Sequence, residues 1–162
     1  MTLSKIQICF RQPGSAGGYV EMGASLSEAD RWAIGELLAR AAHALDDRDA
    51  SALEACFAED AVMSLRIADG DLIGPFAGRA AIMKLMHDSW AQQRDRRRHV
   101  VSNLYFVSES PAEAEAISYL TLLATEDGQI ALLSAGVYRD RLVRRDGRWW
   151  IARRHLDLDK TY

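Results

Sequence analysis

From His99 to Leu158 the chain reads as four consecutive extended segments, 99–107, 114–124, 129–143 and 148–158, and nothing ahead of residue 99 sustains that pattern for so long. Two of the turns between these segments are Asp127-Gly128 and Asp146-Gly147. Asp-Gly pairs suit tight hairpins, because both central residues take positive φ. The third turn, Ser108-Glu109-Ser110-Pro111, is a looser signal of the same kind. Four strands joined this way make an antiparallel meander, and such a sheet needs one face covered by something apolar.

The cover has to come from the first half of the chain. Trp32, Ile34, Leu37, Leu38, Ala41, Ala42 and Leu45 recur at spacings of three and four, which predicts a core-facing helix running to about Asp46. Ser25-Leu26-Ser27-Glu28 spells a capping box for its start. Asp49 is placed to cap a second, shorter helix through Leu53 and Phe57. A strand pair, 61–67 and 72–76, turns at Ala68-Asp69-Gly70-Asp71, and Gly78 then opens a third helix carrying Ile82, Leu85, Met86 and Trp90. Helices followed by long strands predict an α+β layer rather than alternating βαβ units. If the sheet curls strongly, three helices cannot fill its concavity, and the pocket left over is where a small ligand would bind. Residues 1–24 contain Pro13-Gly14-Ser15-Ala16-Gly17-Gly18, which is expected to form a flexible arm ahead of a domain spanning 25–162.

Composition removes several function classes. The chain has 162 residues, 49% hydrophobic, with a formal net charge of −3 and a pI near 5.8, so it offers no global positive field for nucleic acid or anionic lipid. Ile6, Ile8, Cys9 and Phe10 are interrupted by polar residues and form too short a run for a signal or membrane segment, so the expected location is the cytoplasm. Cys9 and Cys56 do not make a disulfide framework, and Cys56 reads as a small core residue. His43, His87 and His155 read as surface or rim groups, and no Cys, His or carboxylate spacing suggests a metal. The run Arg94, Arg96, Arg97, Arg98 is broken by Asp95 and reads as a solvated face.

Local spellings add to the element order. Leu45-Asp46-Asp47-Arg48-Asp49 followed by Leu53-Glu54-Ala55-Cys56-Phe57-Ala58-Glu59-Asp60-Ala61-Val62, then Gly74-Pro75-Phe76-Ala77-Gly78-Arg79-Ala80-Ala81-Ile82, Arg98-His99-Val100-Val101-Ser102-Asn103, and Tyr138-Arg139-Asp140-Arg141-Leu142 through Gly147-Arg148-Trp149 stand in sequence. Together they resemble the SnoaL-like branch of the NTF2-like superfamily over about residues 27 to 159. The resemblance implies an NTF2-like cone: a strongly curved, mostly antiparallel sheet wrapped around three N-terminal helices, with an enclosed apolar pocket. Fold alone does not fix chemistry on such a scaffold.

In dehydratase-like and dehydrochlorinase-like relatives an Asp ending the first helix orients a His that opens a major strand, and that His takes a proton from substrate. The matching positions are Asp46 and His99. A carboxylate beside an imidazole selects its tautomer and stabilises the imidazolium, which suits a general base. Strand alternation groups His99, Val101 and Asn103 on one face, and Asn103 or Tyr138 is expected to polarise a substrate oxygen. Tyr119, Ala41 and Trp90 are the other expected ligand contacts. The chain departs from the dehydratase pattern where relatives carry a Tyr on the first helix, since Ala41 and Leu45 stand there.

The resemblance implies a cofactor-independent lyase, isomerase or cyclase acting on an apolar small molecule such as a polyketide, terpenoid, steroid or aromatic. It also admits a non-catalytic small subunit of an aromatic-ring-hydroxylating dioxygenase, on the spellings 96–103 and 153–160, or a binding protein of the same fold. In each case a homodimer or higher homo-oligomer is expected, because the outer sheet face would otherwise expose a large apolar patch.

Overall fold

The computed structural model describes residues 25–162; the arm expected over 1–24, with Cys9, lies outside them. Helix α1 spans Glu28–Asp47. Its N-cap is Ser27 rather than Ser25: the Ser27 hydroxyl donates to Asp30 Oδ2 at 2.6 Å, and the Asp30 N–H donates to Ser27 Oγ at 3.1 Å. Leu26 is buried immediately before the cap, so the capping box begins after this apolar anchor and uses Asp30 in place of Glu28.

Helix α2 is the short segment Ala50–Glu54, capped by Asp49, which accepts from the Ala52 N–H at 3.0 Å. The predicted extension through Phe57 does not form, because Phe57 opens strand β1, Phe57–Ile67, and pairs with Ile151. Ladder pairing outweighs local helix spacing there. Strand β2, Ile73–Ala77, pairs antiparallel with β1 and leads to helix α3, Arg79–Gln92. Gly78 caps α3 with φ 86° and ψ 146°, a conformation that side-chain-bearing residues rarely adopt.

The second half gives the expected meander: β3 Arg96–Glu109, β4 Glu113–Glu126, β5 Gln129–Arg145 and β6 Arg148–Leu158. Asp127, Gly128, Asp146 and Gly147 all have positive φ, as tight Asp-Gly hairpins require. The six strands form one curved, open mixed sheet in the order β2-β1-β6-β5-β4-β3, in which only the β1–β6 pairing is parallel. The meander therefore continues into the early hairpin as a single α+β layer.

Two apolar clusters line the protected face of this sheet. One joins α1, α2 and α3 to strand residues such as Phe57, Ala61, Leu142 and Ile151. The other is built of strand residues alone: Leu120, Leu122, Tyr138, Leu156 and Leu158, with Leu65, Ile67, Val101 and Leu133 beside them. Among the described residues no helix contributes to the second cluster. Helix α3 is held to the end of α1 by the Trp90 indole, whose Nε1–H donates to the Leu45 carbonyl at 3.1 Å.

Candidate functional site

Three groups in the last turn of α1 fix where β3 begins. Trp90 satisfies the Leu45 carbonyl, and Arg48, in the left-handed conformation with φ 57°, donates to the carbonyls of Gln93 and Asp95 at 3.1 and 3.3 Å. The third is Asp46. Its Oδ2 accepts the His99 backbone N–H at 2.9 Å, and its Oδ1 lies 2.6 Å from His99 Nδ1. Both side chains are largely buried, at 12% exposure for His99 and 7% for Asp46.

A carboxylate near a helix C-terminus faces the negative end of the helix dipole. Asp46 stands there because it serves β3 rather than α1. With its oxygen against Nδ1, the tautomer that bonds best carries hydrogen on Nδ1 and leaves an electron pair on Nε2. A group held in this way can take a proton from a molecule on the protected side of the sheet.

The other expected ligand contacts divide. Tyr138 lies inside, in the strand-only cluster with 4% exposure. Ala41 and Trp90 are buried in the helix-covered core. Asn103 does not share the face of His99 and Val101: it has φ 54°, the β3–β4 register shifts between Ser102 and Tyr105, and Asn103 itself is exposed. A bulge with a left-handed Asn resets strand parity, which simple alternation does not anticipate. Tyr119 is 53% exposed, on the outer face with its register partner Ser102.

A second polar group on the inner face escaped the sequence reading. Arg154 and Asp140 face each other across β5 and β6 and form a bidentate pair, Nε to Oδ1 at 2.8 Å and Nη2 to Oδ2 at 2.9 Å. Both are buried. The guanidinium carbon lies 4.4 Å from the Tyr138 ring centroid. Burial opposes the charge on Arg154, yet the adjoining Asp140 carboxylate holds its pKa above the ordinary value. Burial pushes the Tyr138 phenol up to about 12, against the lowering influence of Arg154. The signal was strand parity: Arg154 shares a side with Leu156 and Leu158, and Asp140 with Tyr138 and Leu142.

An open cleft lies at the rim beside Asp46. It has a volume of about 790 Å³ and is lined by charged groups including Asp47, Arg48, Arg94, Arg96 and Arg98. His155 is bonded on the outer side between Ser64 Oγ at 2.8 Å and Asp157 Oδ1 at 3.0 Å. Cys56 is buried, and its thiol donates to the Ala52 carbonyl at 3.3 Å. Among the described residues no group of three His, Cys, Asp or Glu side chains is arranged to hold a metal ion, and no described helix is long and apolar enough to cross a membrane.

Residues 27–155 match the family model of the SnoaL-like domain. The chain belongs to this family. Solved structures similar to this SnoaL-like domain include an NTF2-like protein with a cystatin-like fold from Novosphingobium aromaticivorans, 25% identical with a TM-score of 0.68 over 80% of this chain and 82% of that one. A protein from Catenulispora acidiphila in complex with S-DNPA is 27% identical, with a TM-score of 0.70 over 82% of this chain and 96% of that one. A candidate scytalone dehydratase from Novosphingobium aromaticivorans is 26% identical, with a TM-score of 0.65 over 80% and 84%. No curated protein matches the chain.

Proposed function

We propose that this SnoaL-like domain is a cofactor-independent lyase, isomerase or cyclase that moves a carbon-bound proton of a largely apolar small molecule, with His99 as general base and Asp46 as its orienting partner. The observation that carries this reading is the double contact of Asp46 with the backbone and ring of His99. Nε2 takes the proton, the C–H electron pair moves into an enol or enolate, and the imidazolium returns the proton to a leaving oxygen or to another carbon. Asp46 stabilises the imidazolium between the two transfers without accepting its proton. Similarity to a candidate scytalone dehydratase and to a protein solved with a bound small molecule supports this choice of reaction class and partner.

The test is turnover by His99→Ala on candidate aryl and polyketide-like substrates. Loss of a general base costs roughly 10²–10⁴-fold in rate. Undiminished turnover by a folded His99→Ala protein overturns the reading. If the unaltered protein binds such compounds tightly without converting any of them, the domain is a binding protein of the same fold.

The outer face bears Val100, Tyr105, Val107 and Tyr119 at about half exposure, beside a groove lined by Glu115, Arg139 and Arg153. Apolar groups mixed with both signs of charge can pair with themselves about a two-fold axis, so the proposed occupant of this face is a second copy of the chain. Sedimentation of Val107→Glu against the unaltered chain tests it, with a shift to monomer expected.

A further inference from the structure

The strand-only cluster is buried although, among the described residues, no helix contributes to it. A piece of chain that crosses this face is 159–162, which follows β6 and adopts neither helix nor strand. The Asp159 N–H donates to the Ala135 carbonyl at 2.9 Å, and the Lys160 carbonyl accepts from Ser134 Oγ, also at 2.9 Å. Ser134 is 1% exposed and shares the inward side of β5 with Tyr138, so Lys160 lies on the protected face. The Tyr162 ring then rests on Arg97, whose guanidinium carbon is 4.7 Å from the ring centroid. Arg97 points to the same side of β3 as His99, and its Nε donates to both oxygens of Asp95, at 3.1 and 3.2 Å. The segment therefore runs from β6 across β5 and β4 to β3.

That path passes beside His99. Leu122 pairs with His99 on one side and with Ser134 on the other, so the three side chains stand in one row across the sheet. Two strand spacings put Ser134 about 10 Å from His99. Arg97 precedes His99 by two residues on the same strand, and the carbonyl of Asp95, which holds Arg97, accepts from Arg48 just beyond Asp46. The contact under Tyr162 and the Asp46–His99 pair thus share one support.

We propose that residues 159–162 form a strap that closes the protected face at His99, with the Tyr162 ring on Arg97 as its latch and the Ser134 hydroxyl as its second hold. Two hydrogen bonds and one ring–cation contact fasten it, and all four of its residues are exposed, so lifting it uncovers little apolar surface of its own. Opened, it clears the approach to His99 between β3 and β5; closed over a ligand, it keeps water from that end of the sheet. Its part in turnover rests on the reading of His99 as the base, whereas the strap itself is open to test without a substrate.

The experiment uses the full chain and diethyl pyrocarbonate, which acylates accessible neutral imidazoles, with the rate at each histidine read by mass spectrometry. His43 and His87 are exposed and serve as internal controls. In the unaltered protein His99 is expected to react more slowly than either. Tyr162→Ala should raise the His99 rate roughly two- to fivefold, the loss of one exposed ring–cation contact, and Ser134→Ala should raise it by a similar factor. Tyr162→Phe keeps the ring over the guanidinium and should leave the rate unchanged. The control rates should not move in any of these variants. An unaltered His99 rate in both Tyr162→Ala and Ser134→Ala overturns the proposal. So does a rise at all three histidines together, which would make the segment a support of the whole fold rather than a strap. If His99→Ala turns over normally while Tyr162→Ala still exposes His99, the base assignment falls and the strap stands.

Discussion

Asp46 and His99, 53 residues apart in sequence, are joined twice by the same carboxylate, once at the backbone N–H and once at ring Nδ1. The first contact sets where β3 starts and the second sets which ring nitrogen is left for chemistry. These tasks can be separated by mutation. Asp46→Asn keeps an oxygen for the backbone N–H but can present an amide N–H to Nδ1, which favours the tautomer with hydrogen on Nε2 and removes the basic electron pair. The expected result is a fold unchanged by circular dichroism and a kcat lower by ~10²-fold or more, with KM little altered.

The Arg154–Asp140 pair predicts an asymmetric pattern of stability. Asp140→Asn leaves a buried guanidinium without its counter-charge, which typically costs about 3–5 kcal/mol. Replacing both residues with apolar ones of similar volume, Asp140→Leu/Arg154→Met, should be far less damaging, since a buried ion pair is often no more stable than its hydrophobic substitute. Urea denaturation of the three proteins measures this; a double variant less stable than Asp140→Asn would refute it.

Asp30 links the start of α1 to β6. It accepts from the Ser27 hydroxyl and from Trp149 Nε1–H, the latter at 2.9 Å, with Arg144 nearby at 3.3 Å. The Ser27 bond, followed by the Trp149 bond, lowers its pKa below the ordinary carboxylate value. A depressed native pKa contributes stability that is fully present above the unfolded value and is lost as pH falls through the native one. Asp30→Asn should therefore lower Tm at neutral pH and flatten its decline on acidification below the ordinary carboxylate range. A thermal-melt series across that range checks both points.

What the sequence made legible was whatever repeats or turns. The Asp-Gly hairpins, the stripe of α1 and the four late strands came from local patterns that tertiary packing did not override. Helical spacing alone carries on through Phe57, whose strand conformation depends on Ile151, 94 positions later, which no local window contains. Alternation misplaces Asn103 for a related reason: one left-handed residue inverts everything after it, and an Asn in a strand does not announce that choice. The Asp46–His99 contact was reachable only through resemblance, since neither residue type at its own position implies the other. Arg154 and Asp140 were readable from parity, but a charged residue on an inward parity is usually taken as a sign that the parity is wrong.

Gly136 carries the last prediction. It lies on the inner side of β5 between Ala135 and Val137, opposite Leu158, and a Cβ built there would fall 2.3 Å from the Asp157 carbonyl oxygen and 3.2 Å from the Leu158 Cα. Those are backbone atoms, so no rotamer change relieves the contact and β6 itself would have to move. The same backbone carries Leu156 and Leu158 of the strand-only cluster, and Arg154 lies two residues before Leu156. Gly136→Ala is thus expected to destabilise by about 1–3 kcal/mol or more. Because β6 shifts under the strand-only cluster, it should also lower turnover of the substrate that His99 is proposed to deprotonate. Loss of stability with unchanged turnover would show that the displaced part of β6 does not bear on the proposed site.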